Sequence, residues 1–495
     1  MERRGRIDVD ISGKLQEMSL PNMKRQFSVL FGEMTLVNRA HTVMLYERGV
    51  HSRETAAEIL KTIDRVEEEL TPDDLSLQSG EDLYMNVEHQ MIARMGAGAG
   101  KMHTGRSRND LFSCLQRMVC RRELLKVMRS ASELEELLLD FAAKNVDTVM
   151  TGYTHLQPAQ PTTAAHFVTS YLEMLQRDMK RLRAAYGSAN LNALGGAAFA
   201  GTGFPIDRER TAELLGFDGL VENTWDSVAS KDFFMEAEAA YGIMQSSFCR
   251  FATDLYTWCT DEFGFWEFGG QVSGQSSIMP QKKNPTVLEN IRSLAGDGAS
   301  AFGLSALTVK NTPLSFILDG HRMSDDFIDA TNSVLASLEY MKEALRYSSV
   351  HKERALRMAE RNFCTVTALA DHLVSEYGIP FREAHHITGG MVGDAKEAGL
   401  DVTGMDAALL GKWAEIILGH GLPATDEEVR AALLPVSNVE SKKCAGGPSP
   451  ERVRDMIAHL SAQAAADAAR TEEAAGKIDK AYAGLRAAAD EIIGK

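Results

Sequence analysis

Apolar side chains recur at spacings of three and four along most of this chain, the period of a helix with one buried face. Over 24–70 the stripe runs through Phe27, Leu30, Phe31, Met34 and Val37. Over 110–146 it is longer, with Leu111, Leu115, Met118 and Val119 continued by Leu134, Leu137, Leu138 and Phe141. The spans 163–186 (Phe167, Tyr171, Met174, Leu175) and 231–260 (Phe234, Ala237, Tyr241, Met244, Phe248) repeat the period, and 285–307 predicts another long helix. Such stripes are core by default, and their aromatics need no ligand to explain them. Beyond about residue 366 the predicted helices shorten, and the alanine-rich stretch after Ser461 predicts a terminal helix with little packing content. The pattern predicts an all-α fold: an N-terminal helical domain (1–105), a central bundle of long helices (106–365) and a smaller C-terminal helical domain (366–495).

Composition supports helix. Only 13 prolines occur in 495 residues, about half of average usage, and alanine, leucine, methionine and glutamate are plentiful. With 53 basic and 69 acidic residues, the net charge of -16 argues against nucleic-acid or anionic-membrane partners. An acidic protein with an anionic substrate must gather its cations locally. The six cysteines form no CxxC and no cluster with histidine, so structural zinc and a disulfide framework are not expected. The first ten residues carry no apolar segment of a secretory leader, and no run of 18 apolar residues occurs. The expectation is a soluble cytoplasmic protein. Neither a GxGxxG nor a GxxxxGK[ST] sequence supports nucleotide binding.

Chemistry gathers in four polar segments between the helices. Ser273-Gly274-Gln275-Ser276-Ser277-Ile278-Met279-Pro280-Gln281-Lys282-Lys283-Asn284-Pro285 holds three serines, two lysines and an asparagine. Such a loop offers backbone N–H groups and fixed positive charge to an anion, as a carboxylate needs when a proton leaves the adjacent carbon. It also reads as a polar turn before a helix. His103-Thr104-Gly105-Arg106-Ser107-Arg108-Asn109-Asp110 opens a long helix. Helix capping explains Ser107 or Asp110 but not two arginines around Ser107, and Arg108 can fork a carboxylate. Thr151-Gly152-Tyr153-Thr154-His155-Leu156-Gln157-Pro158-Ala159-Gln160-Pro161 places a histidine in a non-helical segment, where it is either a hydrogen-bonded structural residue or a proton carrier. The small residues of Asn190–Gly203 favour close backbone packing.

Together these segments resemble argininosuccinate lyase, a branch of the fumarase/aspartase superfamily. The resemblance runs from about 80 to 453 and includes Glu81-Asp82, His103–Asp110, Gly152–Pro161, Asn192–Gly201, Phe204–Arg210, Pro280–Pro285 and Pro380–His386. It implies a fumarase-like helical fold and reversible β-elimination of fumarate from an N-substituted aspartate. In that comparison Ser276 matches the catalytic base, while Lys282 and Asn284 match the groups that stabilise the doubly charged carboxylate of the carbanion. His155 matches the catalytic histidine and Glu289 its carboxylate partner. Ser107, Arg108, Asn109, Thr154, Ser277 and Met279 match substrate contacts. The resemblance also implies a small-molecule substrate, no metal or organic cofactor, and a homotetramer with each site shared between subunits.

Three departures leave the amine partner open. Gln275 stands where the family has glycine, and Lys231 where it has arginine. The segment Thr308–Arg322 lacks the family's Tyr-Asn-Lys-Asp-Leu-Gln-Glu-Asp-Lys pattern on the arginine side. Lys310, His321 and Arg322 predict a more cationic distal pocket, which suits an aminopolycarboxylate such as ethylenediamine-disuccinate as the alternative substrate. A non-catalytic structural member is a third reading, disfavoured by the presence of Ser276, Lys282, Asn284 and His155.

Overall fold

The computed structural model describes residues 11–77 and 82–495. Residues 1–10, on which the reading of the leader rests, and Glu81 lie outside them. Among the described residues the fold is all-α, as the periodicity predicts, with 18 α-helices and strands of at most seven residues.

Helices α1 (Gly13–Glu47), α2 (Arg53–Glu69) and α3 (Leu83–Met95) pack with the first turns of α4 (Arg108–Lys144) around Met34, Leu60, Leu83 and Leu115. Local signals set their starts: Ser52 Oγ accepts from the N–H of Thr55, and the Asp82 carboxylate from that of Met85, satisfying donors that a first turn leaves free.

The central core is built from α4, α5 (Ala164–Ala189), the short α6 (Arg208–Leu215) and α7 (Thr224–Ala229), α8 (Asp232–Trp258), α9 (Thr286–Leu294), α10 (Asp297–Val309) and α11 (Asp319–Arg346). Leu134, Leu172, Phe234, Tyr241, Phe327 and Leu338 fill it. Contacts fix the directions. Arg117 donates to Ser188 O, and Ala164 N to Thr148 O, so α5 runs against α4. Gln116 donates to Gly320 O, and Lys342 to Glu133, so α11 runs with α4. A Cβ on Gly298 would lie 2.6 Å from the backbone nitrogen of Gly242. Only glycine permits that close approach of α10 to α8.

Beyond α12 (Lys352–Arg361), a separate apolar cluster (Leu369, Leu373, Ile387, Met391, Leu410) unites α13 (Val366–Tyr377), α14 (Phe381–Glu397), α15 (Ala407–Leu418), α16 (Asp426–Leu433) and α17 (Pro435–Ser441). The terminal helix α18 (Pro450–Ile493) differs from expectation. Its Leu460 and Ile478 join the central core, and its Leu485 and Ile492 join the N-terminal one. The alanines that predict weak packing instead let the helix lie close: a Cβ on Gly216 would sit 3.1 Å from the Ala481 side chain. Arg53 closes its end on the carbonyls of Glu491 and Ile492.

The strands form four two-stranded sheets: β1 (Val149–Thr154) with β2 (Gln157–Thr163), β3 (Leu191–Asn192) with β4 (Gly219–Leu220), β5 (Trp266–Phe268) with β8 (Ser348–Val350), and β6 (Gly274–Gln275) with β7 (Lys283–Asn284). They hold loops in place rather than build a core. No helix among the described residues is long and apolar enough to cross a membrane.

Candidate active site

The serine-lysine loop is a hairpin. Gly274 pairs with Asn284 and Gln275 with Lys283, so 276–282 is its closed end. Ser276 Oγ accepts the N–H of Met279 at 3.0 Å and that of Ile278 at 3.4 Å. Two N–H dipoles converging on one hydroxyl oxygen stabilise negative charge there, which a serine requires to act as a base. Ser277, Ile278 and Met279 are exposed, Ile278 at 83%, so the tip is largely open to solvent in the single chain. Gly274 is required because a Cβ there would lie 2.7 Å from the Thr286 methyl. Gln275, the departure from the family pattern, is exposed and accommodated in the ladder.

Lys282, Asn284 and Glu289 line one cleft of about 1030 Å³ with Tyr256, Glu267 and His351. The two lysines differ. Lys283 is bound to Glu267 at 2.9 Å, and that hydrogen bond holds the Glu267 carboxyl below its usual range. The Lys282 ammonium makes no hydrogen bond or ion pair with the described residues and is free for an anion. Glu289 Oε1 accepts from the Tyr256 hydroxyl at 3.1 Å. Tyr256, Glu267 and His351 were not legible as lining of this cleft: Tyr256 reads as one more aromatic on a helical stripe, and the Glu267–His351 contact joins segments distant in sequence.

The segment before α4 is both cap and groove wall. Ser107 Oγ accepts from the N–H of Asn109 at 3.3 Å, and Asp110 returns to the N–H of Ser107 at 2.9 Å, a capping box. The buried Asp110 carboxylate also accepts from the N–H groups of Gly195 and Ala197 at 2.8 and 3.0 Å, tying the small-residue segment to the helix start. Burial pushes its pKa up to about 6. A Cβ on Gly196 would lie 2.4 Å from Ser227 Oγ, so that segment serves packing, as its composition suggests. Arg106 is buried and donates to Asn38 Oδ1. Arg108 pairs with Asp82 at 2.5 Å.

Arg108 and Asn109 line a second groove of about 990 Å³ with Phe112, Phe316, His321 and Arg322. The segment that departs from the family pattern therefore shares a groove with residues that the resemblance assigns to substrate contact. The expected cationic character is not found. Lys310 is exposed and away from this wall. Burial, with Lys231 and Arg108 adding to it, lowers the His321 pKa to about 4, and Arg322 is paired with Asp326. The wall sets Arg25, Arg108 and Arg322 against Asp82, Asp325, Asp326 and Asp329. Lys231 is buried beneath it without a hydrogen-bond partner among the described residues, its pKa lowered to about 7 by burial and then by Arg117. It forks no ligand as an arginine can.

Thr154 and His155 occupy the exposed tip of β1–β2. His155 and Leu156 form its two-residue turn with φ of 54° and 55°, a left-handed conformation that histidine tolerates better than most residues but that is unusual for leucine. The His155 ring has no hydrogen-bond partner among the described residues. Arg108 opens α4 and the hairpin follows its end; 37 residues at 1.5 Å each span roughly 55 Å. The serine loop lies at the histidine end, where Trp266 stacks on Phe141 and Phe263 meets Tyr153. One chain thus joins Ser276, Lys282, Asn284 and Glu289 in one region, keeps Ser107, Arg108 and Asn109 at the far end of the bundle, and presents Thr154 and His155 outward.

Comparison with known proteins bears on the family and the fold. A lyase family model matches residues 20–297, and an argininosuccinate lyase C-terminal model matches 363–440. A class II fumarase from Schistosoma mansoni superposes with a TM-score of 0.70 at 16% identity, covering 86% of this chain and 96% of that one, a likeness of fold. An EDDS lyase variant with bound fumarate superposes with a TM-score of 0.89 at 32% identity, over 98% of this chain and 97% of that one. The class is therefore the all-α lyases of the fumarase type, and the chain is an enzyme, a carbon–nitrogen lyase. Argininosuccinate lyase 1 of Shouchella clausii (strain KSM-K16) is 37% identical over 450 residues, 90% of each chain. The chain belongs to the argininosuccinate lyase family.

Proposed function

We propose that this enzyme eliminates fumarate reversibly from an N-substituted L-aspartate, with argininosuccinate, giving arginine and fumarate, as the leading substrate. The pair of N–H groups on Ser276 Oγ carries the reading. Ser276 as alkoxide takes the proton beside the carboxylate, and Lys282 and Asn284 hold the doubly charged carboxylate that results. The electron pair then forms the C=C bond as the C–N bond breaks, and the departing nitrogen takes its proton from a protonated His155, to which this proposal assigns Glu289 as carboxylate partner. Ser107, Arg108, Asn109, Thr154, Ser277 and Met279 bind the substrate. Because Arg108 and His155 belong to opposite ends of a long helix, the working form in this proposal is a homotetramer whose sites draw on several subunits. We place it in the cytoplasm, in arginine biosynthesis, and divide the chain at about 105 and 365, with α18 returning to the first two parts.

A groove carrying both signs suits an amine half that carries both signs, as an amino acid does. The second reading, an aminopolycarboxylate such as ethylenediamine-disuccinate, draws on Phe316, His321 and Arg322 beside Arg108 and on the likeness to EDDS lyase. Fumarate release, followed by ultraviolet absorbance with both substrates, separates them. The highest kcat/KM with argininosuccinate is expected; faster turnover of the disuccinate reverses the order, and silence across the panel favours a non-catalytic member. Ser276→Ala should lower kcat by on the order of 10³-fold or more with the oligomer intact. A near-normal rate removes Ser276 as base.

A further inference from the structure

The hairpin that carries His155 is poorly equipped to hold its own shape. A two-stranded hairpin is marginal in water without packing; here the base, Val149, Met150 and Thr151, is buried while 154–158 are exposed, and β2 contains Pro158 and Pro161, which donate nothing to the ladder. The register shifts between Gly152 and Tyr153, and both turn residues are left-handed without being glycine. Strained turns of this kind persist only where the surroundings over-determine them.

Those surroundings are specific. Thr151 and Pro161 face each other as one rung of the hairpin. Asn362 Nδ2 donates to Thr151 Oγ1 at 2.9 Å, and Lys442 Nζ donates to the carbonyl of Pro161 at 3.0 Å. One rung further from the tip, Thr162 Oγ1 lies 2.8 Å from His166 Nδ1, and His166 Nε2 lies 3.0 Å from Gly446 O. Asn362 and Lys442 are also the two points where the chain passes into and out of the C-terminal cluster, whose apolar residues run from Leu369 to Leu433. Both ends of that module therefore grip the same rung, four residues before His155. Lys442 is half-buried, and Thr151 is buried.

We propose that Asn362 and Lys442 are positioning residues that set the place of His155 by clamping the Thr151–Pro161 rung, and that the C-terminal module 363–440 acts on catalysis through them. The proposal rests on the reading of His155 given above. A displacement of about 1 Å in a catalytic group costs on the order of 100-fold in rate, so the clamp bears on chemistry although neither residue reaches the substrate.

The test compares Lys442→Met, Asn362→Ala, the rescue variant Lys442→Arg and His155→Gln in the full-length enzyme. It reads kcat and KM for fumarate release and amide hydrogen exchange across the hairpin and α4. Expected are a tenfold or greater fall in kcat for Lys442→Met and Asn362→Ala with KM within twofold. Exchange should be faster in 149–163 but unchanged in α4, and Lys442→Arg should recover both. An unchanged kcat, unchanged hairpin exchange, or loss of protection that extends to α4 overturns the clamp. Full activity of His155→Gln overturns the reading of His155 and the clamp with it. An inactive His155→Gln beside a fully active Lys442→Met overturns the clamp alone.

Discussion

Glu135 lies buried on α4, with Gln176, Arg183 and Asp467 around its carboxyl. Burial first, and the nearby Asp467 second, push its pKa up to about 8. The folded protein therefore holds a proton that the unfolded chain releases near pH 4.5. Stability from this group is complete below about pH 4.5 and is lost as pH rises toward 8, by up to about 1.4 kcal/mol per unit. Glu135→Gln removes that slope. In urea unfolding at pH 5 and pH 8, the variant should gain on the wild type by roughly 2–4 kcal/mol at the higher pH; a constant difference contradicts the assignment. The two loop lysines make a second residue-scale case. Lys282→Met should lower kcat on the order of 100-fold, and Lys283→Met, whose ammonium is already engaged by Glu267, by less than tenfold. Equal losses in steady-state assays refute the distinction. The sequence names both lysines but cannot separate them, because Glu267 reaches Lys283 from a different two-stranded sheet, a tertiary contact. For the same reason Lys231 is legible as a substitution for arginine, whereas its burial against Arg117 is a tertiary fact.

At the scale of elements, the start of α4 joins a stability device to the groove residues proposed to bind substrate. Asp110 accepts from Ser107, Gly195 and Ala197, and the neighbouring Arg108 and Asn109 face the groove. Asp110→Asn puts an amide donor where N–H groups converge, and should cost about 1–3 kcal/mol while raising KM more than it lowers kcat. Denaturant midpoints and steady-state kinetics check both; an unchanged midpoint argues that the carboxylate is not what holds the loop. The long helices were legible because a stripe of Leu111, Leu115 and Met118 has no other economical burial than one helix face. The cap was legible as Ser107 followed three residues later by Asp110. The turn at His155–Leu156 was not, since leucine does not favour positive φ and the pairing of β1 with β2 imposes it. Nor was the packing of α18, because alanine leaves a faint periodic signal where helices lie closest.

At the scale of the whole molecule, the distance along α4 decides what kind of experiment is informative. Arg108 and His155 are separated by a helix of roughly 55 Å, far more than one small substrate spans. The outer face of α8 and α10 exposes Ile243, Phe302, Leu304 and Leu307 at 38–61%, an apolar strip suited to burial against further copies of the chain. If sites form between subunits, Arg108→Ala and His155→Ala damage different contributors to each site. Each homo-oligomer should be nearly inactive. When the two are co-expressed and mix at random, about one quarter of sites draw an intact Arg108 from one chain and an intact His155 from another, and fumarate release should recover to about that fraction of wild type. A site built within one chain gives no recovery at any mixing ratio, because every chain then carries one lesion. Mass photometry on the same samples ties the recovered rate to the mixed oligomer: dilution that dissociates the assembly must abolish it, and activity that persists in a monomer contradicts the shared site.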